Sequence, residues 1–323
     1  MFTLDELDAA EKIVRAALPP TPAICWPLIS SRLGATAIVK HENHNPTGAF
    51  KVRGGLTFVD ALKRRKPGAK GLISATRGNH GQSLAFAGAR AGLTVTIYVP
   101  RGNSIEKNAS MRALGAELVE FGDDFQEARE AAMAAAESLG LEPVPSFHVD
   151  LVRGVSTYAF ELLREHPDLD ALYVGIGQGS GVCGCIAARD ALGLKTEIIG
   201  VQAKGAPAHA LSLAAGHVVS TPKADTLADG LATRAPDAFA FETMAKGIAR
   251  ATLVSDDEIA EAVRIYWRDT HNLAEGAGAA PLAAALQERD RLRGKKVGLV
   301  LSGGNIDFEL FQSWVAAPSA TLP

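Results

Sequence analysis

The chain has 323 residues, of which 47% are hydrophobic and 21% charged, which suits one large or two ordinary domains with packed cores and excludes a disordered chain. The formal net charge is -3 and no basic stripe runs along the sequence, so we expect no nucleic-acid partner. The N-terminus lacks a signal-peptide pattern and no apolar run is long enough to span a bilayer. We therefore expect a cytoplasmic protein without membrane association.

Strand and helix patterns alternate through the chain. The predicted strands are at residues 71–75, 93–99, 117–121, 171–176, 196–202 and 296–301. The predicted helices are at about 80–91, 104–114, 125–139, 151–165, 182–192, 256–271 and 279–293. This alternation predicts an α/β protein with two doubly wound parallel-sheet domains and a cleft between them. Ligands of such sheets bind beyond the carboxyl ends of strands, so the turns at 76–80, 177–181 and 302–305 are candidate sites.

The glycine-rich turn Gly177-Gln-Gly-Ser-Gly181 follows a strand and opens a helix, a context that predicts an anion site for a phosphate. The spacing Gly179-x-Gly181-x-x-Gly184 also matches a dinucleotide fingerprint, which makes a nicotinamide-dependent oxidoreductase a rival interpretation. That fingerprint requires an acid at the end of the next strand, where this chain has Gln202-Ala-Lys. A ligand with a single phosphate therefore fits better.

The stretch Asn45-Pro-Thr-Gly-Ala-Phe-Lys-Val-Arg-Gly-Gly55 is predicted to be a turn that encloses one lysine, Lys51, beside Phe50. Partial desolvation makes the neutral amine of a lysine more available as a nucleophile. An enclosed lysine, a phosphate turn and a polar turn at Ser302 together suit a Schiff base with pyridoxal phosphate.

Four segments carry a resemblance to a known family: 45–54, Thr76-Arg-Gly-Asn-His-Gly-Gln82, the turn 177–181 and Ser302-Gly-Gly-Asn-Ile-Asp307. In order and spacing the chain resembles the fold type II pyridoxal phosphate enzymes, which share the tryptophan synthase β-like fold, and specifically their serine/threonine dehydratase and serine racemase branch. The resemblance implies a large cofactor-binding domain at residues 1–51 and 150–323. It implies a small substrate-closing domain at residues 52–149, and a homodimer.

The resemblance assigns roles residue by residue. The residues assigned to the cofactor are Phe50, Lys51, Asn79, Gly177, Gln178, Gly179, Ser180, Gly181, Gly230, Glu275 and Ser302. The residues assigned to an amino-acid substrate are Thr76, Arg77, Gly78, Asn79 and His80. Lys51 would bind the cofactor covalently and move the Cα proton, Phe50 would cover one face of its ring, and Asn79 would hydrogen-bond the 3′ oxygen. The turn at 177–181 would bind the phosphate.

The implied activity is an ammonia-lyase that converts a 3-hydroxy amino acid to a 2-oxo acid and ammonia. Ser302 would face the pyridine nitrogen with a neutral hydroxyl, which favours loss of the β-hydroxyl over reprotonation at Cα. L-Threonine or L-serine is the default substrate. A dehydratase specific for 3-hydroxyaspartate or 3-phenylserine is the alternative, followed by a serine racemase.

Several positions depart from the family pattern. Serine racemases have a serine as second base where this chain has Arg77, whose guanidinium stays protonated, so we expect no efficient racemisation. Arg77 would either reach a second anionic group of the substrate or point outward and pair with a neighbouring acid. In the phosphate turn, Gln178 replaces a glycine of many relatives, while Ser180 adds a hydroxyl donor.

We expect no bound metal. The positions that hold acids in cation-binding relatives are Gln202, Ala206 and Ala208 here. The three cysteines are predicted to be buried free thiols in a reducing compartment. No extension follows residue 315 or so, and we accordingly expect no appended regulatory domain.

Overall fold

Apolar strands alternate with amphipathic helices along the protein, whose computed structural model describes residues 1–316. The strands are β1 Ala23–Cys25, β2 Thr36–His41, β3 Gly71–Ala75, β4 Thr94–Val99, β5 Glu117–Glu120, β6 Glu142–Pro143, β7 Ala171–Gly175, β8 Glu197–Ala203, β9 Arg250–Val254 and β10 Lys296–Leu301. The helices are α1 Leu4–Arg15, α2 Pro27–Leu33, α3 Lys51–Arg65, α4 Asn79–Ala91, α5 Ile105–Ala113, α6 Phe125–Leu139, α7 Val149–Glu165, α8 Ser180–Ala191, α9 Ala208–Ala215, α10 Ala238–Gly247, α11 Asp256–Thr270, α12 Gly276–Gln287, α13 Arg289–Leu292 and α14 Phe308–Ala316. Two 3-10 turns, Glu42–His44 and Asp229–Leu231, complete the elements.

The chain divides into two compact units. Among the described residues, the first consists of Met1–Leu7, Pro20–His44 and residues 156–316, and the second of Asp8–Pro19 and Asn45–Val155. These ranges differ from the predicted domain division because residues 8–19, 45–51 and 150–155 pack with the second unit. The last residues of the predicted large domain, 317–323, lie outside the described part of the chain, and the domain roles stay a prediction.

The first unit contains a six-stranded sheet in the order β1-β2-β10-β7-β8-β9. All neighbouring strands are parallel except β1, which pairs antiparallel with β2. In β7 and β8 the apolar residues face packed helices on both sides, as is typical of parallel sheets. Because β7 and β10 pair in parallel, the turns that follow them leave the sheet at the same edge.

The second unit contains a fully parallel four-stranded sheet in the order β5-β4-β3-β6. Helices α3 and α4 pack closely, and Gly55 permits this approach because a Cβ there would lie 2.4 Å from the Ser83 hydroxyl oxygen. The predicted turn at 45–55 is therefore wrong in its second half, since helix α3 already begins at Lys51. Glycine contributes close packing here instead of breaking the helix.

Other elements match the sequence more closely. Strands β3 and β10 and helix α6 have the predicted bounds, while the predicted helix at 279–293 is two helices, α12 and α13. Cys183 and Cys185 are buried as predicted, whereas Cys25 is exposed because it ends the edge strand β1. Within residues 1–316, no helix combines the length and apolarity that crossing a membrane requires.

An ion-pair network stabilises the amino ends of β7, β8 and β9 in the first unit. Glu288 accepts hydrogen bonds from Arg250, from the Tyr173 hydroxyl at 2.7 Å and from the Thr252 hydroxyl at 3.0 Å. Burial raises the pKa of the Glu288 carboxyl, but these hydrogen bonds outweigh burial and lower it to about 2. The network therefore stabilises the folded state most above the ordinary pKa of 4.5, and this contribution is lost as the pH falls from 4.5 toward about 2.

We expect Glu288→Gln to lower the free energy of unfolding by about 2 kcal/mol at pH 7, because Arg250, Tyr173 and Thr252 lose a charged acceptor. Urea unfolding at pH 7, 4 and 3 measures this, and the difference from wild type should shrink at each step toward low pH. Glu242→Gln, the same change at an exposed position of helix α10, is the matched control. A difference that stays constant with pH would contradict the assigned role of the Glu288 charge.

Candidate active site

The glycine turn after β7 has the geometry of an anion cradle. Gly179 has φ 101°, the left-handed region that favours glycine, and it precedes helix α8 directly. A Cβ at Gly177 would lie 2.2 Å from the carbonyl oxygen of Gly230, so no side chain fits there. The first N–H groups of a helix have no carbonyl within the helix to bond, and they attract anions. The turn therefore fits a phosphate group.

Three further residues that the sequence predicted lie near this turn in the first unit. Ser302 is buried and follows β10, the strand next to β7. Glu275 is buried and its N–H donates to the carbonyl of Gly303 at 3.0 Å, which ties it to the loop of Ser302. Gly230 reaches the turn through its carbonyl contact with Gly177. The first unit thus assembles its predicted site residues at the carboxyl edge of its sheet.

In the second unit, Lys51 is half-buried at the first position of helix α3. Its Nζ lies 5.3 Å from the centroid of the Phe50 ring, and its carbonyl accepts a hydrogen bond from the Ser83 hydroxyl at 2.6 Å. This contact joins the lysine to helix α4, which begins at Asn79. The lysine is therefore held by its backbone while its amine stays at the aromatic ring.

His80 is buried in the same unit. The pKa of its imidazole is lowered to about 3, mainly by burial and also by the nearby charge of Lys51, while a hydrogen bond to the Val144 backbone opposes both. His80 is consequently neutral at physiological pH. Its Nε2 has no hydrogen-bond partner among the described residues.

The loop at 76–80 follows β3 and is ordered by its own hydrogen bonds. The Gly78 N–H donates to the Thr76 hydroxyl at 3.2 Å, and the Asn103 amide donates to the carbonyl of Arg77 at 3.1 Å. The Arg77 side chain is exposed and forms no ion pair with a described carboxylate. Sequence reasoning missed Asn103, because nothing in its neighbourhood signals a contact with a loop 26 residues away.

The region after β8 offers no metal ligands in the described chain. No group of three or more His, Cys, Asp or Glu side chains within residues 1–316 is arranged to hold a metal ion. Gln202, at the end of β8, instead accepts a hydrogen bond from the Ala210 N–H at 2.8 Å. Ala206 and Ala208 are buried apolar residues.

Comparison with known proteins identifies the family. The family described as "Pyridoxal-phosphate dependent enzyme" matches residues 14–303. An L-threonine ammonia-lyase of Thermotoga maritima is 32% identical over 96% of this chain and 77% of the relative. An L-threo-3-hydroxyaspartate ammonia-lyase of Saccharomyces cerevisiae is 30% identical over 97% of this chain and 95% of the relative. The solved structure of the processed form of threonine deaminase isoform 2 from Solanum lycopersicum has a TM-score of 0.89 and 29% identity, and covers 98% of this chain and 94% of that one.

These matches confirm four expectations from the sequence: the resemblance itself, the α/β fold with parallel-sheet domains, the pyridoxal phosphate cofactor and the ammonia-lyase class of enzyme. They leave no support for a nicotinamide-dependent oxidoreductase. The chain belongs to the family of pyridoxal-phosphate dependent enzymes.

Proposed function

We propose that this enzyme converts a 3-hydroxy amino acid, with L-threonine or L-serine as the default substrate, to a 2-oxo acid and ammonia. The proposal rests on one observation. Ser302 follows the strand that is paired in parallel with the strand preceding the glycine turn. A cofactor with its phosphate in that turn would have a neutral hydroxyl, and no carboxylate, as the partner of its pyridine nitrogen.

Pyridoxal phosphate supplies an aldehyde that condenses with amines and a ring that withdraws electrons from the Cα–H bond of the substrate. The residues that we propose to hold it are Phe50, Lys51, Asn79, Gly177, Gln178, Gly179, Ser180, Gly181, Gly230, Glu275 and Ser302. Lys51 binds the aldehyde, and Phe50 covers one face of the ring. The turn at 177–181 binds the phosphate with its backbone N–H groups.

Lys51 then acts as the base that removes the Cα proton, a role that suits an amine held at the start of a helix beside an aromatic ring. The substrate carboxylate is received by the loop of Thr76, Gly78, Asn79 and His80. The neutral imidazole of His80 adds no charge to this loop. These residues orient the Cα–H bond toward the amine.

Ser302 directs the outcome after proton removal. Its hydroxyl would not hold the pyridine nitrogen of a bound cofactor in its protonated form as a carboxylate would, which would favour loss of the β-hydroxyl over return of the proton to Cα. Across the reaction, one water would be lost from the substrate and one taken up, so that the products would be the 2-oxo acid and ammonia.

A second candidate substrate class is favoured by Arg77. Its side chain is exposed, follows Thr76 in the carboxylate loop, and has no carboxylate partner in the described chain. It is available for a second carboxylate, such as that of 3-hydroxyaspartate. The Saccharomyces cerevisiae relative named for that substrate matches nearly the whole chain. 3-Phenylserine is the remaining alternative.

We also propose that the enzyme is a cytoplasmic homodimer. This part of the proposal rests on the family resemblance alone. Analytical ultracentrifugation of the purified protein at micromolar concentration tests the oligomeric state.

Lys51→Ala should abolish the yellow colour of the purified enzyme and reduce ammonia release at least about a thousandfold, since both the covalent attachment and the base are lost. Absorbance spectra and a 2-oxo acid assay with threonine measure the two effects. Lys63→Ala, which removes an exposed lysine of the same helix, is the control and should keep both the yellow colour and the ammonia release. A colourless wild-type protein, or a fully active Lys51→Ala variant, would exclude the proposed chemistry.

Ser302→Asp should raise the ratio of Cα proton exchange to ammonia release about tenfold, because a carboxylate stabilises the protonated pyridine nitrogen. Deuterium incorporation into recovered serine in D2O, compared with ammonia formed, gives this ratio. Ser313→Asp introduces the same charge at an exposed site and should leave the ratio unchanged. An unchanged ratio in Ser302→Asp would contradict the proposed position of Ser302 beside the pyridine nitrogen.

Arg77→Ala should lower kcat/KM for 3-hydroxyaspartate by about tenfold to a hundredfold, the range expected for a lost charge-assisted hydrogen bond. The values for threonine and serine should change less than about threefold. Arg77→Lys keeps the charge and should recover part of the activity on 3-hydroxyaspartate. An equal loss on all three substrates would contradict a role of Arg77 in selecting acidic substrates.

A further inference from the structure

We propose that His209 is a positioning residue for the phosphate turn: by fixing the Gly177 carbonyl, it aims the N–H of Gln178, which belongs to the same peptide unit, at the phosphate. This inference rests on the proposed assignment of the phosphate to that turn. His209 lies on helix α9, and no sequence motif singled it out.

The contacts of the ring span the turn. His209 Nε2 lies 3.0 Å from the carbonyl oxygen of Gly177. A carbonyl oxygen only accepts hydrogen bonds, so Nε2 carries the proton and donates. The ring Cε1 lies 3.9 Å from the point where a Cβ of Gly179 would stand, so the imidazole also packs under the left-handed residue of the turn. One side chain thus contacts both glycines that shape the cradle.

Burial explains why the ring acts without charge. The His209 side chain is fully buried, and burial lowers its pKa to about 4 against the opposing hydrogen bond to Gly177 and the charge of Asp237. The imidazole is therefore neutral at physiological pH. It orients the turn, but it has no charge with which to attract a phosphate.

The other ring nitrogen, Nδ1, has no hydrogen-bond partner among the described residues. A buried polar atom without a partner costs about 1–3 kcal/mol, so a purely packing role would be served better by an apolar side chain. The hydrogen bond to Gly177 is the one interaction in the described chain that requires an imidazole here. This favours a functional reason for placing histidine at the position.

Gln202 fixes the backbone beside His209. The Ala210 N–H donates to Gln202 Oε1 at 2.8 Å, which fixes the first turn of helix α9 to the end of β8. Because β8 pairs in parallel with β7, Gln202 near the end of β8 and the glycine turn after β7 lie at the same edge of the sheet. The link therefore runs from the end of β8, through helix α9, to the turn after the neighbouring strand β7.

The orientation of the Gly177 carbonyl decides what the turn presents to a ligand. The peptide unit has one negative and one positive end, and a carbonyl turned toward the phosphate would repel it. His209 binds the oxygen, while the Gly230 carbonyl packs against the Cα of Gly177. Without the imidazole donor, the peptide after Gly177 loses the partner that keeps its oxygen turned away.

The test uses the full-length protein freed of cofactor and two amide variants. His209→Gln places a donor at about the position of Nε2, whereas the shorter side chain of His209→Asn does not reach the carbonyl. Each protein is titrated with pyridoxal phosphate and, separately, with pyridoxal, which lacks the phosphate, and binding is followed by absorbance. We expect His209→Asn to raise the Kd for pyridoxal phosphate about tenfold while the Kd for pyridoxal changes less than about twofold. His209→Gln should stay within about threefold of wild type for both.

Equal weakening of both ligands in His209→Asn would show a general structural role and overturn the proposal, as would no change in either. Gly177→Ala tests the phosphate assignment itself, since its Cβ would collide with the Gly230 carbonyl. If Gly177→Ala selectively weakens pyridoxal phosphate and His209→Asn does not, the role of His209 fails and the proposed phosphate site stands. If neither variant changes the preference, both fail.

If His209→Asn does not fold, the test is made on the wild-type protein instead. The NMR signal of the His209 Nε2 proton, assigned by its absence from His209→Gln, should shift when pyridoxal phosphate binds and stay in place with pyridoxal. The same shift with both ligands, or with neither, would overturn the proposal.

Discussion

The parallel pairing of β7 with β10 is the constraint on which the candidate cofactor site depends. It brings the turns after two strands that are more than 100 residues apart in sequence to one edge of the sheet. One turn contains Gly177 and Gly179, where a Cβ would collide with neighbouring atoms, and the other presents a buried serine. A slip of either strand would separate the anion cradle from the hydroxyl, so the sheet register sets the chemistry that this edge can support.

Three polar residues at or beside the candidate site are uncharged. His80 and His209 are both buried and uncharged at physiological pH, and the residue after β10 is a serine where an acid would change the reactivity of a bound ring. Charged pairs are placed elsewhere, for example around Glu288 at the amino end of the strands. The charged network that stabilises the sheet is therefore separate from the residues that we propose for the cofactor and substrate.

Much of the fold could be read from the sequence because its signals are local. Gly92 and Gly140 end their helices in the left-handed conformation, and the bounds of α4 and α6 were predicted accordingly. The start of α3 was missed because the glycines inside it look like a turn, and only the packing against α4 reveals their purpose. The loop at 76–80 and the turn at 177–181 were found from strand–turn–helix context. His209 could not be found, since a lone histidine in an alanine-rich helix carries no pattern and its partner is a backbone carbonyl 32 residues away.

The hydrogen bond from Ser83 to the Lys51 carbonyl has a mechanical consequence. It couples the helix that carries the amine to the helix that begins at Asn79, and the small side chains between them leave little freedom for sliding. A displacement of the helix start at Lys51 is therefore transmitted to the helix start at Asn79. If Lys51 is the base and the loop at 76–80 binds the substrate carboxylate, as we propose, this coupling preserves the distance between them without requiring the whole second unit to be immobile.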